Sequence, residues 1–438
     1  MTTLSVPLHF GGVLKTWRKR RGVTQQQLAD LSTVSVRAIR DLEIGRVARP
    51  RHDTVRLICD ALGLTGRARA DFQAAAIQLD DDRSWLHEPP APPPAVFDGL
   101  IGRSAELAAL DEALAGGQRL IGLIGLAGVG KTRLALEAVA SWHAADRLPV
   151  LWSAYAGSRD DTVSAMIRTA LSAETSATAK IGASDQLSAL VRDRDTILVC
   201  DGYDGRDTSA LDVEAVGSLL RACRGLRILV TSRSPLDPGG AWLLPVGPLG
   251  VPADGLDLDL LRDAASVRLL LRHVRRERPD FDLDAGNAAQ VAAICRRLDG
   301  LPSALAAAAA WFLFYEPSAL LDRIESDPFA VVADEAPELR SVIRAAVGGL
   351  PPEELALLDA VATVDSPFSI AAVAGVTGLG PGTAARLVRR LCLRGLLRAA
   401  SEDGGREARF TVLSLVTDAR KTAALLPEQP PIASLRHA

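Results

Sequence analysis

Residues Gly125 to Thr132 read Gly-Leu-Ala-Gly-Val-Gly-Lys-Thr, and this octet restricts the fold of the 438-residue chain more tightly than any other stretch. An apolar run, Leu120 to Ile124, leads into it and a helical pattern, Arg133 to Trp142, leads out, so the spacing predicts a strand, a glycine turn and a helix in direct succession. Glycines there let backbone N–H groups converge on phosphate oxygens at a helix N-terminus. Lys131 would reach the β- and γ-phosphates as a point charge, and the Thr132 hydroxyl would enter a Mg²⁺ shell. This is the Walker A arrangement. It makes Gly125, Gly128, Gly130, Lys131, Thr132 and the adjoining Arg133 nucleotide-binding residues, with ATP or ADP and Mg²⁺ as the ligands. Lys131 is conspicuous because 45 of the 50 Lys and Arg residues are arginine, a bias typical of GC-rich bacterial genomes.

Two further apolar runs end in residues of the right chemistry. Thr196 to Cys200 runs into Asp201, a strand that delivers a carboxylate to Mg²⁺ or its waters, the Walker B pattern. Many ATPases of this kind place a second acidic group directly afterwards. Here the next residue is Gly202, with Asp204 two positions further on as a weak second catalytic carboxylate beside Asp201, so hydrolysis is expected to be slow. Leu226 to Val230 runs into Thr231-Ser232-Arg233, and an arginine at the carboxyl end of a strand can either touch a γ-phosphate or form a surface ion pair.

The net charge of −3 conceals an asymmetry: residues 1–80 hold 13 Lys and Arg against 7 Asp and Glu, a balance of +6 that leaves −9 for the rest. Pattern, more than charge, marks this end for nucleic acid. From Gly22 to Leu64 the sequence has a five-helix pattern, preceded by a Val13, Leu14, Trp17 stripe. Thr24 caps one short helix, Gln25 to Leu31, and Ser35 caps the next, with Val34, Ile39 and Leu42 facing inward. That leaves Val36, Arg37, Arg40 and Asp41 on the outer face of the second helix, the one that enters the major groove of double-stranded DNA in a helix-turn-helix, with Ser35 at its start as a further DNA contact. Gln25, Arg46, Arg49 and Arg51 flank it as phosphate contacts, which set register without reading bases.

The Gln25, Leu28-Ala29, Ser35, Ile39, Leu42-Glu43 and Gly45 pattern resembles the phage-repressor-like, or XRE-type, helix-turn-helix family over about the first 65 residues. Thr33 departs from it. The family usually carries glycine in this turn, so either Thr33 takes a strained positive φ or the turn differs. The later motifs, in their order, resemble the STAND class of nucleotide switches, specifically NB-ARC-like bacterial transcription regulators, over residues 98–425. That resemblance implies a nucleotide contact for Arg103 in Ile101-Gly102-Arg103, a sensor role for Arg233, and a proline near the adenine at Pro302 in Gly300-Leu301-Pro302. It also implies a small helical domain and a winged helix. Two departures stand out: no histidine lies between His273 and His437, where relatives carry one that contacts the ADP β-phosphate, and no repeat array of 20–50 residues follows the winged helix.

A multidomain architecture follows, since the chain exceeds the roughly 250–300 residues at which one core stops growing. The expected order is an all-α helix-turn-helix domain (1–80), a Pro-rich linker (81–98), an α/β P-loop nucleotide-binding domain with a parallel sheet (99–250), a helical domain (251–330), a winged-helix domain (331–425) and a tail (426–438). In the last region helical patterns at Pro351 to Val361, Ile370 to Val376 and Ala384 to Leu393 precede a β-wing, Gly395 to Ala399 and Ala408 to Leu413. The five cysteines lack any CxxC pair and read as reduced core residues. Ala304 to Phe314, the most apolar segment, falls far short of the roughly 20 residues a membrane helix needs. The chain is therefore expected to be cytoplasmic, with no membrane partner, an operator DNA as its main partner, and a homo-oligomer or a protein effector acting in trans as further partners left open. Function reads as a nucleotide-switched transcriptional regulator, at most a slow ATPase. The alternative is a STAND ATPase whose helix-turn-helix docks onto protein in a signalling or defence assembly.

Overall fold

The computed structural model describes residues 10–44, 46, 50, 52–64, 72, 98–146, 148–154, 167, 170–171, 184, 187–188, 191, 194–203, 212–235, 240–253, 255, 257–333, 338–362, 367–400 and 407–423. The chain falls into two compact units, one of Met1–Ala91 with Ala165–Leu190 and one of Pro92–Ser164 with Val191–Ala438. Of the expected Pro-rich linker, 81–98, residues 81–97 lie outside the described residues.

The first unit contains α1 (Phe10–Arg20), α2 (Gln25–Ser32), α3 (Val36–Glu43) and α4 (His52–Ala61). Thr24 and Gln27 form a capping box: the Thr24 hydroxyl accepts from the Gln27 N–H at 3.1 Å, and the Gln27 side chain accepts from the Thr24 N–H at 2.8 Å. Ser35 caps α3, its hydroxyl accepting from the Ala38 N–H at 3.2 Å. Between the two helices Thr33 has φ 57°, so the threonine does adopt the left-handed conformation that glycine would take without strain. Leu14, Leu28, Ile39, Leu42, Ile58 and Phe72 bury themselves together, with Val34 and Val36 packed partly against them. Gly11 allows α1 to lie directly on the end of α3, since a Cβ there would sit 2.1 Å from the Leu42 carbonyl oxygen.

The second unit is built on a five-stranded parallel sheet in the order β2-β3-β4-β1-β5, with β1 (Leu120–Ile124), β2 (Val150–Ala154), β3 (Thr196–Asp201), β4 (Leu226–Ser232) and β5 (Trp242–Pro245). All five residues of β1 are buried, as a strand covered on both faces requires. Helices α5 (Ser104–Ala115), α6 (Lys131–Asp146) and α7 (Val213–Ala222) accompany the sheet. In an open parallel sheet, ligands bind beyond the carboxyl ends of the strands where the strand order reverses, and here β1 opens onto such a place between β4 and β5.

Six helices follow: α8 (Leu258–Asp263), α9 (Ala265–Glu277), α10 (Ala288–Arg297), α11 (Pro302–Ala310), α12 (Pro317–Ser326) and α13 (Pro328–Val332). Then come α14 (Leu339–Gly348), α15 (Pro352–Val361), β6 (Phe368–Ser369), α16 (Ile370–Thr377), α17 (Pro381–Leu393), β7 (Leu397–Ala400), β8 (Arg409–Val412) and α18 (Ser414–Ala423). The two strands expected after α17 form an antiparallel pair, and β6 adds a third strand on the free edge of β8. One apolar core runs without a break through sheet, helices and C-terminal region, from Leu123 through Leu270 and Leu305 to Leu391 and Val416. All five cysteines are free thiols, and burial pushes the Cys200 and Cys295 thiols upward, Cys295 to about 12, which suits them to packing and not to nucleophilic work. Among the described residues no helix is long and apolar enough to cross a membrane.

Candidate functional sites

The glycine loop is packed closely against its neighbours at points where side chains would collide. Gly125 passes under the β5 end, where a Cβ would lie 2.3 Å from the Val246 carbonyl oxygen. Gly128, at φ 77°, faces the start of α11, and a Cβ there would fall 2.0 Å from Ser303 Oγ. The Ser303 N–H donates to the Gly128 carbonyl at 3.1 Å, and Gly130 has φ 97°. These conformations turn the loop into the first turn of α6.

At that turn Lys131 Nζ donates to the Gly125 and Leu126 carbonyls at 2.9 and 3.0 Å, so its charge lies over the loop. The Thr132 hydroxyl donates to Asp201 Oδ1 at 2.8 Å, which joins two residues 69 positions apart in sequence. Thr231 donates to the same oxygen at 2.6 Å, and its own Oγ1 accepts from the Gly202 N–H at 2.8 Å. The ends of β3 and β4 and the start of α6 thus meet at one carboxylate. Thr231 is a residue the sequence named only as part of the Thr231-Ser232-Arg233 run; it follows Val230, which pairs with Cys200 in the β3–β4 register, and so lies beside Asp201.

The remaining expected nucleotide residues are placed as follows. Arg103 is buried and acts as a brace: its guanidinium donates to Glu106 at 2.6 Å and to the Val129 and Gly247 carbonyls at 3.0 and 2.6 Å. Arg133 pairs with Glu137 at 2.7 Å and donates to the Asp98 carbonyl. Pro302 is the first residue of α11, and its Cγ lies 4.0 Å from where a Gly130 Cβ would be. Arg233 follows β4 directly and is half-buried, whereas Asp204 lies outside the described residues. Among the described residues no group of three His, Cys, Asp or Glu could hold a metal by itself.

On the first unit, α3 presents Arg37 and Arg40 outward, the Arg37 side chain being 92% exposed. Asp41 lies 3.9 Å from Arg37 and 3.8 Å from Arg46, so one carboxylate stands between two exposed guanidinium groups. Val36 is half-buried, and Ser35 is occupied by its cap. Gln25, expected among the phosphate contacts, donates its amide to Glu43 at 2.6 Å, while Glu43 also takes Arg18 at 2.5 and 3.1 Å. Glu43 is buried, and this three-residue network fixes α3 against α1 and α2. Arg49 and Arg51 lie outside the described residues.

Residues 9–72 match a helix-turn-helix domain family, so the N-terminal segment is a helix-turn-helix domain. An uncharacterized protein of Mycobacterium tuberculosis is 31% identical over 239 residues, 54% of this chain and 56% of the relative. A second protein of that organism, whose given name makes it a candidate HTH-type transcriptional regulator, is 31% identical over 231 residues, 50% of this chain and 23% of the relative. The chain therefore spans only about half the length of the first relative and about a quarter of the second. Among solved structures the Walker-type ATPase of Pyrococcus abyssi is similar at 16% identity with a TM-score of 0.41, over 76% of this chain and 98% of that one.

Proposed function

We propose that the chain is a nucleotide-switched, DNA-binding transcriptional regulator of the STAND class, binding ATP or ADP with Mg²⁺ in the 99–250 region. The observation that carries this reading is the 2.8 Å bond between Thr132 and Asp201 at the mouth of the glycine loop. Hydroxyl and carboxylate are hard oxygen donors of the kind Mg²⁺ prefers, and they meet at the first turn of α6, where the glycine loop runs into a helix N-terminus. The residues fit the ion and the phosphates. Bound Mg²⁺ would neutralise charge on the β- and γ-phosphates. Thr132 and Asp201 would hold it, Gly125, Gly128, Gly130 and Lys131 would cradle the phosphates, and Thr231 would keep Asp201 aimed at the mouth of the loop.

In this reading the XRE-type helix-turn-helix of residues 1–80 contacts DNA through Arg37, Arg40 and Asp41 on α3, with Arg46 on the phosphates. Residues 81–98 act as a linker, 251–330 as the helical domain, 331–425 as the winged helix and 426–438 as a tail. The two helices α16 and α17, joined by a short turn at Gly378 and followed by an antiparallel pair, support the winged-helix assignment. Turnover should be slow, because Gly202 supplies no second carboxylate at the end of β3. Calorimetry with ATP and ADP, with and without Mg²⁺, tests the binding reading. Steady-state phosphate release should lie well below the roughly 1–100 s⁻¹ of committed phosphoryl-transfer enzymes, and a rate inside that range would overturn the switch assignment.

A further inference from the structure

Asp299 is a buried carboxylate that the nucleotide chemistry does not use, and it occupies a conformation that disfavours most residues. Only 2% of it is exposed, and its φ of 55° places it in the left-handed region, where Asp and Asn are the tolerated non-glycine choices. Its two oxygens accept from the Ser414 and Leu415 N–H groups at 2.9 and 2.8 Å, which caps the N-terminus of α18 from 115 residues away.

Around this bond the structure forms a closed circuit. Four residues after Asp299, the Ser303 N–H donates to Gly128 in the glycine loop. From Ser414 the chain leads back one residue to Leu413, whose N–H donates to the Leu396 carbonyl at 3.2 Å. Leu396 adjoins Gly395, which packs on the same loop so closely that a Cβ would lie 2.7 Å from the Leu126 nitrogen, and its φ is 73°. The loop is therefore gripped at Leu126 by the turn after α17 and at Gly128 by the start of α11, and Asp299 joins the two grips.

We propose that Asp299 is a positioning residue that fastens the C-terminal region, residues 339–423, onto the glycine loop and thereby sets how fast a bound nucleotide leaves. This rests on the reading that the loop holds a nucleotide. Arg398 on β7 is the charged group that bears on the Asp299 carboxyl, and beside this cap the Arg297–Asp418 pair, at 2.5 Å, links the end of α10 to α18. Burial pushes the Asp299 carboxyl up to about 6, against the pull of the Leu415 and Ser414 N–H groups and Arg398. A carboxyl whose pKa is higher when fastened than when released holds its proton more tightly in the fastened state. Low pH therefore favours fastening, and that advantage is lost as pH rises through about 6.

The test is release of N-methylanthraniloyl-ADP from the full chain between pH 5 and 7, in wild type, Asp299→Asn and Asp299→Ala. Wild-type release should quicken about tenfold as pH rises, the equivalent of one unit of pKa difference. Asp299→Asn is neutral and its one amide oxygen can accept from only one of the two N–H groups, so release should lose its pH step and be no slower than wild type at pH 5. Asp299→Ala leaves two N–H groups without their acceptor and should release fast at every pH. A wild-type pH step retained in Asp299→Asn, or wild-type release from Asp299→Ala, overturns the proposal. Hydrogen exchange at residues 125–130 of the nucleotide-free chain keeps the two readings apart. Failure of the wild type to bind the probe would remove the nucleotide reading, while unchanged loop exchange in Asp299→Ala would remove the fastening.

Discussion

In the proposed reading, the glycine loop and the α3 helix meet a phosphate-bearing partner by opposite means. The loop is made of backbone, its carbonyls and N–H groups fixed by glycine conformations and by neighbours at Val246, Ser303 and Leu126 to Gly395. The α3 surface is made of long side chains with little to hold them: Arg37 is 92% exposed and Arg46 76%, and their shared partner Asp41 stands at nearly 4 Å. A preorganised site loses little entropy on binding and is sensitive to single atoms, whereas a surface of mobile arginines is tolerant and salt-dependent. Substitutions in the two places should differ accordingly in size and in kind.

The largest effects belong to the loop. Lys131→Ala removes the point charge from where the phosphates are proposed to bind and should weaken ATP and ADP by about 2–5 kcal/mol, the range for truncating one member of a hydrogen-bonded charge pair, with little change in fold. Calorimetry on wild type and variant decides it, and unchanged affinity would break the phosphate-loop reading. Gly128→Ala should lose both binding and stability, because the new Cβ meets Ser303 and the φ of 77° is strained for alanine.

In the first unit the corresponding sensitive point lies beneath the surface. Glu43→Ala leaves Arg18, itself only 12% exposed, with the Val23 carbonyl in place of a carboxylate and takes the acceptor of Gln25 away, and should destabilise the helix-turn-helix by about 3 kcal/mol. Denaturant unfolding followed by the fluorescence of Trp17 would register it. A variant as stable as wild type would show that the network contributes nothing to fixing α3.

These cases also explain what the sequence disclosed. The fold of the loop was legible because a strand, a glycine turn and a helix follow one another directly in sequence, and the place of Asp201 because a strand of apolar residues ends on it. Thr24 and Ser35 were legible as caps for the same local reason, and both cap as expected. Contacts between distant residues were not. Nothing around Gln25 signals that Glu43, 18 positions away, takes its amide, and nothing around Arg103 signals that its guanidinium braces the Val129 and Gly247 carbonyls. Asp299 left one trace, a carboxylate directly before Gly-Leu-Pro. Its partner at Ser414 depends on the tertiary fold.

Smaller effects join the two sites. If one conformation favours both nucleotide and DNA, linkage requires each to alter the other's affinity equally. Exchanging ADP for ATP should then shift operator affinity of the full chain by roughly 5–150-fold, about 1–3 kcal/mol. Fluorescence anisotropy with operator duplex in the apo, ADP and ATP states measures it. Equal affinity in all three would leave the two sites independent.

The smallest effects should separate the arginines of the first unit from one another. Arg37 stands on the outer face of α3, where a bidentate contact to guanine is worth about 1–3 kcal/mol, so Arg37→Ala should weaken the operator but scarcely affect random DNA. Arg46 lies beyond the helix. If it neutralises one phosphate, Arg46→Ala should weaken operator and random duplex alike and lower the salt slope by about one unit. Asp41 sharpens the distinction, because it sits between the two guanidinium groups and repels phosphate from both. Asp41→Ala should therefore tighten random DNA modestly while reducing discrimination between operator and scrambled sequence. Titrations of the full chain and these variants at two salt concentrations would show the pattern. Equal losses on both duplexes for Arg37→Ala would make Arg37 a backbone contact, and the reading of bases would then have to fall to Arg40, the other arginine exposed on α3.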